Sequence, residues 1–470
     1  MTNEFDRYLA FIRQNYSDCD DLACRVSAVE GGRFATVFIK AICSRDYISE
    51  TVIKPVLRSG LEGFRGDAGA LLGSAVFSVP ADESESVFSI AAGEALLLLE
   101  YDGGFTAVLV NAQDGQGRSV QEPSSDVTVR GPKAGFVEDA ETNFAMLRKY
   151  VRSPALKSKM LVVGTVSRTK VLICYVAGRA SERFVGELTE KIGGLKASVI
   201  TDSSNIPMLI EGEKDPLLPV CGSSEKVDKV ASKLMAGRVA VIVDGSPFVL
   251  TAPYVFAESL QAADDYLHTP FYATFIRILR LIAFLASIFA PGVLCALLTY
   301  EHAFLPQEFY GFINKSRDGV PVSFFFEILT VLLLFELLRE VGVRMPRPVG
   351  DAVGIVGSII LGNTAVDAGI VSSVGVITVA FAAVCAFITP AYMYVIVLFR
   401  LSVLVLAQIF GVFGIGLSAT LLIILFAGSS SFGVPYLFPL SPRDANGMQD
   451  FVFAWPRKTL GRRERLGKKR

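Results

Sequence analysis

Residues 368–442 read AGIVSSVGVITVAFAAVCAFITPAYMYVIVLFRLSVLVLAQIFGVFGIGLSATLLIILFAGSSSFGVPYLFPLSP, and in these 75 positions Arg400 is the only charged residue. A stretch of that length with one charge has no side suited to water, and a bilayer is the solvent it fits. Its most apolar part, 374–427, is too long for one crossing at about 1.5 Å per residue and comfortable for two. Pro390 and Arg400 lie near the middle, where the turn between two crossings is needed. Downstream, 457–470 carries eight Lys/Arg against Glu464 alone. A basic stretch directly after apolar spans reads as a cytoplasmic anchor to membrane lipids, in preference to a nucleic-acid tail.

Upstream, residues 281–300 contain no charge, and Arg277 and Arg280 stand just before them. Twenty such residues cross a hydrocarbon layer of about 30 Å as one helix, which Pro291-Gly292 is expected to kink. Residues 319–338 are apolar except for Glu327 and Glu336 and run into Arg339, Glu340, Arg344 and Arg347. The arginines mark the cytoplasmic side again, so the two spans form an out-and-back pair. Between the pairs, 349–371 is glycine-rich and holds Asp351, Asn363 and Asp367. A fifth crossing there would leave the basic tail outside, so the segment is expected to be re-entrant or buried.

Ionisable groups at membrane depth are costly and become functional candidates by default. Glu327 has no opposite charge three or four residues away, and Asn363 and Asp367 share a helix face. These three are the candidates for an ion pathway or gate. Glu327 and Glu336, nine residues apart, point to opposite sides of a helix and cannot line one pore face. Glu336 precedes Arg339 by three, the spacing of an ordinary ion pair at the membrane edge. Glu336, Arg339, Asp351 and Arg400 are therefore read as structural or membrane-edge polar residues.

The whole chain has 470 residues, 51% of them hydrophobic and 19% charged, with a net charge of -1. Disorder and a small disulfide scaffold are excluded. Seven cysteines without a CxxC, and only two histidines, give no basis for a metal site. There is no GxGxxG or GxxxxGK[ST] for a phosphate-bearing cofactor, and no nucleophile, base and oxyanion arrangement emerges. No catalytic role and no cofactor is expected. The first residues, MTNEFDRYLAFIRQNYSDCDD, carry acids throughout and lack an apolar signal core, so the first ~270 residues are expected to stay in the cytosol.

Those residues alternate between strand and helix patterns. FATVFIKAI at 34–42 is followed by YISETVIKPVL, and KVLICYV at 170–176 by SERFVGELTEKI. Both halves close on a hairpin pattern, AGEALLLLEYDGGFTAVLV from Ala92 and AGRVAVIVDGSPFVL from Ala236. Asp102-Gly103 and Asp244-Gly245 supply the positive φ of tight turns, a turn role being favoured over ligand binding. The fold class is thus an α/β cytosolic amino-terminal region of two related subdomains, followed by an α-helical polytopic membrane domain. Its expected parts are a leader at 1–24, subdomains at 25–128 and 129–270, a membrane domain at 271–442 with about four crossings, and a basic tail at 443–470.

Four strings within this frame, VRGPKAGFVEDAETNFAMLRKYV at 129–151, GRVAVIVDGSPFVLTAPYVFAE at 237–258, ELLREVGVRMPRPVGDAVGIVG at 336–357 and SFGVPYLFPLSP at 431–442, resemble the spore germinant receptor A-subunit family of endospore-forming bacteria. The likeness runs from about residue 25 to 442. It implies a multi-pass protein of the spore inner membrane, with head and tail facing the spore core. It further implies partnership with a transporter-like B subunit, which mainly binds the nutrient, and a lipoprotein C subunit. The resemblance also implies a homo-oligomer acting as a nutrient-gated ion channel. A sister branch encoded with the dipicolinate-release proteins of sporulation carries the same signatures and leaves a non-conducting scaffold or accessory role as the alternative.

Overall fold

The computed structural model describes residues 4–73, 78–102, 104–113, 123, 132–211, 217–262, 265, 268–345, 350, 357, 360–444 and 447–453. They fall into two compact units, the first holding 1–216 and 220–254 and the second 217–219 and 255–462.

The first unit contains two five-stranded sheets built on one plan. The first comprises β1 (Leu22–Val29), β2 (Gly32–Ile39), β3 (Ser78–Pro80), β4 (Glu94–Tyr101) and β5 (Gly104–Asn111), in the spatial order β1-β2-β4-β5-β3. The second comprises β6 (Leu156–Val163), β7 (Thr169–Val176), β8 (Gly222–Ser224), β9 (Val239–Val243) and β10 (Val249–Ala252), in the order β6-β7-β9-β10-β8. Every neighbouring pair is antiparallel. In each half a hairpin leads through helix to a short strand, then a helix and a closing hairpin. Leu96 to Leu99 of β4 are all buried although successive side chains point to opposite faces, so both faces of that strand are covered. The same holds for all five residues of β9.

The closing hairpins turn where Asp-Gly predicts. Tyr101 pairs with Gly104 across Asp102, and Gly245 takes φ 89° beside Asp244. Asp244 has a second task. Its Oδ1 accepts from the Ala140 N–H at 3.1 Å, at the start of α3 (Ala140–Tyr150), joining a hairpin turn to a helix N-terminus.

Two boundaries differ from the sequence expectation. Residues of the leader form α1 (Glu4–Asn15), whose Phe5, Tyr8, Leu9 and Ile12 lie in the core of the first sheet. Tyr8 bonds Ser86 Oγ at 2.7 Å on α2 (Glu83–Ala92). Four apolar residues at helical spacing need a partner, and the sheet-covering helix supplies it. At the other end, the head stops at Tyr254 rather than near 270, because Phe256 packs among aromatic rings of the second unit.

The two halves of the head meet through residues 15–21. Asp20 N–H donates to the Ser158 carbonyl at 3.3 Å, Met160 N–H donates to Asp20 Oδ2 at 2.7 Å, and Lys157 Nζ donates to the Asn15 carbonyl at 2.7 Å. At the centre, the fully buried Arg148 of α3 grips Asp21 with Nε at 2.9 Å and Nη2 at 3.1 Å. Burial opposes the Arg148 charge, but Asp21 outweighs it and holds the guanidinium more firmly protonated than usual. Burial also raises the neighbouring Cys19 thiol, against the pull of Arg148 and Lys157.

The second unit is a bundle of α6 (Pro270–Thr299), α7 (Gln307–Ser316), α8 (Phe324–Arg344), α9 (Ser373–Phe387), α10 (Met393–Phe410) and α11 (Val412–Gly428). α4 (Glu182–Gly193) and α5 (Val227–Met235) belong to the head. The run 374–427 thus lies in three helices, not two. A short turn at Pro390–Tyr392 makes one break, and Gly411, at φ 59°, makes the second between α10 and α11. Pro291 stays inside α6. A Cβ at Gly292 would come within 2.6 Å of Val403 Cγ1, so this glycine lets α6 and α10 approach closely.

Candidate functional site

Among the described residues, the buried charged residues of the bundle lie in three bonded clusters. At one end, Ser316 Oγ bonds Ser373 Oγ at 2.8 Å, joining the end of α7 to the start of α9. Beside it lies Glu327, in the first turn of α8 and 0% exposed. Its Oε2 accepts from Arg317 Nε at 3.3 Å, and its Oε1 accepts from the Ser372 N–H at 2.8 Å and from the Ser372 hydroxyl. The space is filled to the atom. A Cβ on Gly375 would stand 2.2 Å from Glu327 Oε1. Glu327 is therefore not without a counter-charge, as the helix spacing suggested. Its partner sits ten residues back, across the turn between α7 and α8, where a search at three and four residues does not look.

Deeper in the bundle Arg400 lies on α10, 2% exposed and inside the helix instead of at a turn. Its Nε donates to the Ser287 carbonyl of α6 at 2.7 Å and its Nη2 to the Ala382 carbonyl of α9 at 3.1 Å. Glu336 of α8 approaches Nη1 at 3.8 Å and pairs with Arg339 at 2.7 Å. The expected Glu336–Arg339 pair is present, and Arg400 extends it into a contact among four helices. A guanidinium suits that position because its fork serves several acceptors at once.

At the other end of α6, Arg277 and Arg280 are ion-paired. Arg280 binds Asp265 through Nη1 at 2.6 Å and Nη2 at 2.8 Å, while Arg277 binds Asp265 at 3.2 Å and Asp450 Oδ1 at 2.9 Å. Burial opposes ionisation of Asp265, but the two arginines and the Ala262 N–H hold its carboxyl below the usual range. Near this end the rings of Phe256, Phe284, Tyr392, Phe426 and Tyr436 pack together. Tyr392 and Tyr436 share a hydroxyl bond of 2.8 Å, and the Tyr436 hydroxyl also reaches the Pro219 carbonyl at 3.1 Å. Sequence reasoning missed this cluster, although Tyr436 lies within one of the family-like strings.

Asn363 and Asp367 are exposed, on the short helical segments Ile360–Thr364 and Ala365–Asp367. They do not join Glu327. Asp351 lies outside the described residues. Two described residues of 349–371 lie against α8: a Cβ at Gly350 would meet the Gly342 carbonyl and one at Gly357 would meet Leu338, while Ser372, just after the segment, bonds Glu327.

The outward surface of these helices is apolar. Ile377, Phe381 and Val384 form an exposed stripe on α9, and Leu398, Val405 and Ile424 are exposed on α10 and α11. The segments Pro270–Thr299 and Pro390–Phe410 are long and apolar enough, by length and composition, to cross a membrane. No group of three or more metal-ligating side chains occurs among the described residues.

An α/β head of two like sheets, followed by a helical bundle with a greasy exterior and internally paired charges, defines a membrane-associated protein with a folded head. Comparison with known proteins narrows the class. The chain belongs to the GerA family of Bacillus/Clostridium spore germination proteins, whose family model matches residues 10–466. It is 36% identical to spore germination protein KA of Bacillus subtilis over 90% of this chain and 78% of that one. It is 29% identical to spore germination protein GerLA of Bacillus cereus over 96% of this chain and 92% of that one. The crystal structure of the N-terminal domain of the A subunit of the Bacillus megaterium germinant receptor GerK3 aligns with a TM-score of 0.41 at 25% identity, covering 53% of this chain and 94% of that one.

Proposed function

We propose that the chain is the A subunit of a nutrient germinant receptor, and that several copies assemble in the spore inner membrane into a nutrient-gated ion channel. It works with a transporter-like B subunit and a lipoprotein C subunit. In this reading α6, α8, α9, α10 and α11 each cross the membrane and the stretch between α8 and α9 makes a sixth crossing, so that head and tail share the core side. One observation carries the channel reading: Asn363 and Asp367 are exposed on a bundle whose outer surface is mostly apolar, the exposed hydroxyls of Thr330, Ser402 and Thr420 being bonded back to their own helices. Facing lipid, an amide and a carboxyl are costly, up to about 2.5–3.5 kcal/mol for Asp at the bilayer centre and less toward the boundary. Facing a neighbouring copy across water they cost little, so the path is lined between protomers.

Gating then has a natural handle. The segment bearing Asn363 and Asp367 ends at Ser372, which Glu327 and Arg317 hold. A signal that alters this clamp shifts the pathway residues directly, giving two arrangements for the nutrient complex to bias.

The second reading is a non-conducting scaffold that clusters receptors. It is favoured by the bonding of Glu327 to Arg317 and Ser372, and of Arg400 to the Ser287 and Ala382 carbonyls, within one copy, which leaves neither facing an open path. Receptor reconstituted with its partner subunits in liposomes separates the two. The channel reading expects nutrient-dependent cation flux that falls in Asp367→Asn. Flux and germination unchanged in both Asp367→Asn and Glu327→Gln would overturn the pathway assignment, and no flux at all would leave the scaffold.

A further inference from the structure

We infer that α7 is an interfacial helix that seats its phenylalanines in the lipid bilayer, at the boundary between acyl chains and headgroups beyond the C-terminal end of α6. The inference rests on the membrane reading above. α7 connects two bundle helices, beginning seven residues after Tyr300 and ending seven before Ser323. It is held at the bundle end, by Ser316 to Ser373 and by Arg317 to Glu327. That end is where hydrocarbon gives way to water if α6 and α8 cross.

The residues of α7 divide accordingly. At about 100° per residue, Phe309, Phe312, Ile313 and Ser316 fall within one arc. Ile313 and Ser316 use this arc to touch the bundle, Ile313 being fully buried. Phe309 and Phe312, on the same arc, remain 48% and 61% exposed, and Phe304 just before the helix is 79% exposed. Gln307, Glu308, Asn314 and Lys315 occupy the opposite arc and are exposed. A helix whose one apolar face is half used against its own protein, with bare aromatic rings on the rest, needs a second apolar medium. Lipid is favoured over a second copy because α7 is tied to the start of α9, whose exposed residues, like those of α10 and α11, are largely apolar, and aromatic residues settle at the interfacial depth.

The protein has a single tryptophan, Trp455, so a Trp455→Phe background allows a new tryptophan to report depth. Phe309→Trp and Phe312→Trp are made separately in the full chain, with Ile423→Trp on the exposed face of α11 as reference. Each protein is reconstituted in phosphatidylcholine vesicles whose lipids carry bromine either near the headgroup or deep in the acyl chain. Fluorescence of both α7 variants is expected to fall more with shallow bromine, and that of Ile423→Trp more with deep bromine. Quenching of Ile423→Trp without quenching of either α7 variant overturns the inference while leaving the membrane reading standing. Disulfide cross-linking of Phe312→Cys between copies would then assign the face to a second protomer. Absence of quenching at all three positions overturns both.

Discussion

Arg400 supplies the hydrogen bond that Pro291 cannot. Proline has no N–H, so the carbonyl four residues earlier in a helix loses its donor. In α6 that carbonyl belongs to Ser287, and Arg400 Nε donates to it from α10 at 2.7 Å. A backbone defect in one helix thus becomes the docking point for another. The only charge in a 75-residue apolar run is there to answer it.

This pairing predicts coupling between two residues that never bond. Arg400→Met strands the Ser287 carbonyl and should destabilise by about 1–3 kcal/mol. Pro291→Ala restores a donor within α6, so in that background the cost of Arg400→Met should shrink. Unfolding of the four proteins in detergent, arranged as a double-mutant cycle, is expected to give a coupling of about 0.5–3 kcal/mol. Simple additivity would refute the relationship.

Gly375→Ala should be worse than Glu327→Gln. The added methyl must push Glu327 away from Ser372 and Arg317 together, whereas glutamine keeps the shape and one oxygen acceptor and loses the bond to one donor. Overpacking of this kind costs about 1–3 kcal/mol. Thermal unfolding of the two variants checks the order, and equal stability would mean that the clamp is not filled as described.

Acid should loosen the base of α6. Asp265 has its folded pKa held below the ordinary 3.8 by Arg280 and Arg277, against burial. The sign follows: this carboxylate contributes stability above its unfolded value near pH 4, and the contribution disappears as pH falls through the lower folded value. Asp450, which also faces Arg277, leaves that arginine a partner but does not replace Asp265 at Arg280. Unfolding temperature followed from pH 6 to pH 2 should show this acid limb in the native protein, and Asp265→Asn should lack it.

Sidedness tests the number of passes. With six crossings, an impermeant thiol reagent added opposite the head should reach cysteines placed at Phe304, Ile370 and Val412. Cysteines at Met345 and Tyr394 should be protected from it. Protection of Ile370→Cys together with labelling of Met345→Cys would reverse the assignment of the 345–372 leg.

The head was legible because its signals are local. Asp102 and Asp244 mark hairpins by the turn they permit, and the apolar spacing after each first hairpin marks a helix. The apolar helices were legible as a mass but not as a count. Gly411 lies in a run so uniformly apolar that its break in direction leaves no trace in hydropathy, and only a left-handed φ reveals it. Arg400 reads as a turn residue in the sequence because its acceptors, Ser287 and Ala382, are carbonyls and carry no opposite charge. Glu327 looks unpartnered for a related reason, since Arg317 reaches it only after the chain turns. The face that joins the head's two halves was missed as well. Asp21 and Arg148 are 127 residues apart, and nothing in either neighbourhood announces the other.

The contact between Arg277 and Asp450 sets an order of assembly. Synthesis delivers the first long helix some 170 residues before the acid that helps to neutralise its base. Until that acid emerges, Asp265 alone must hold two guanidinium groups. A chain cut short of residue 450 would lack this closure, and the base of its first long helix would be left short of a carboxylate.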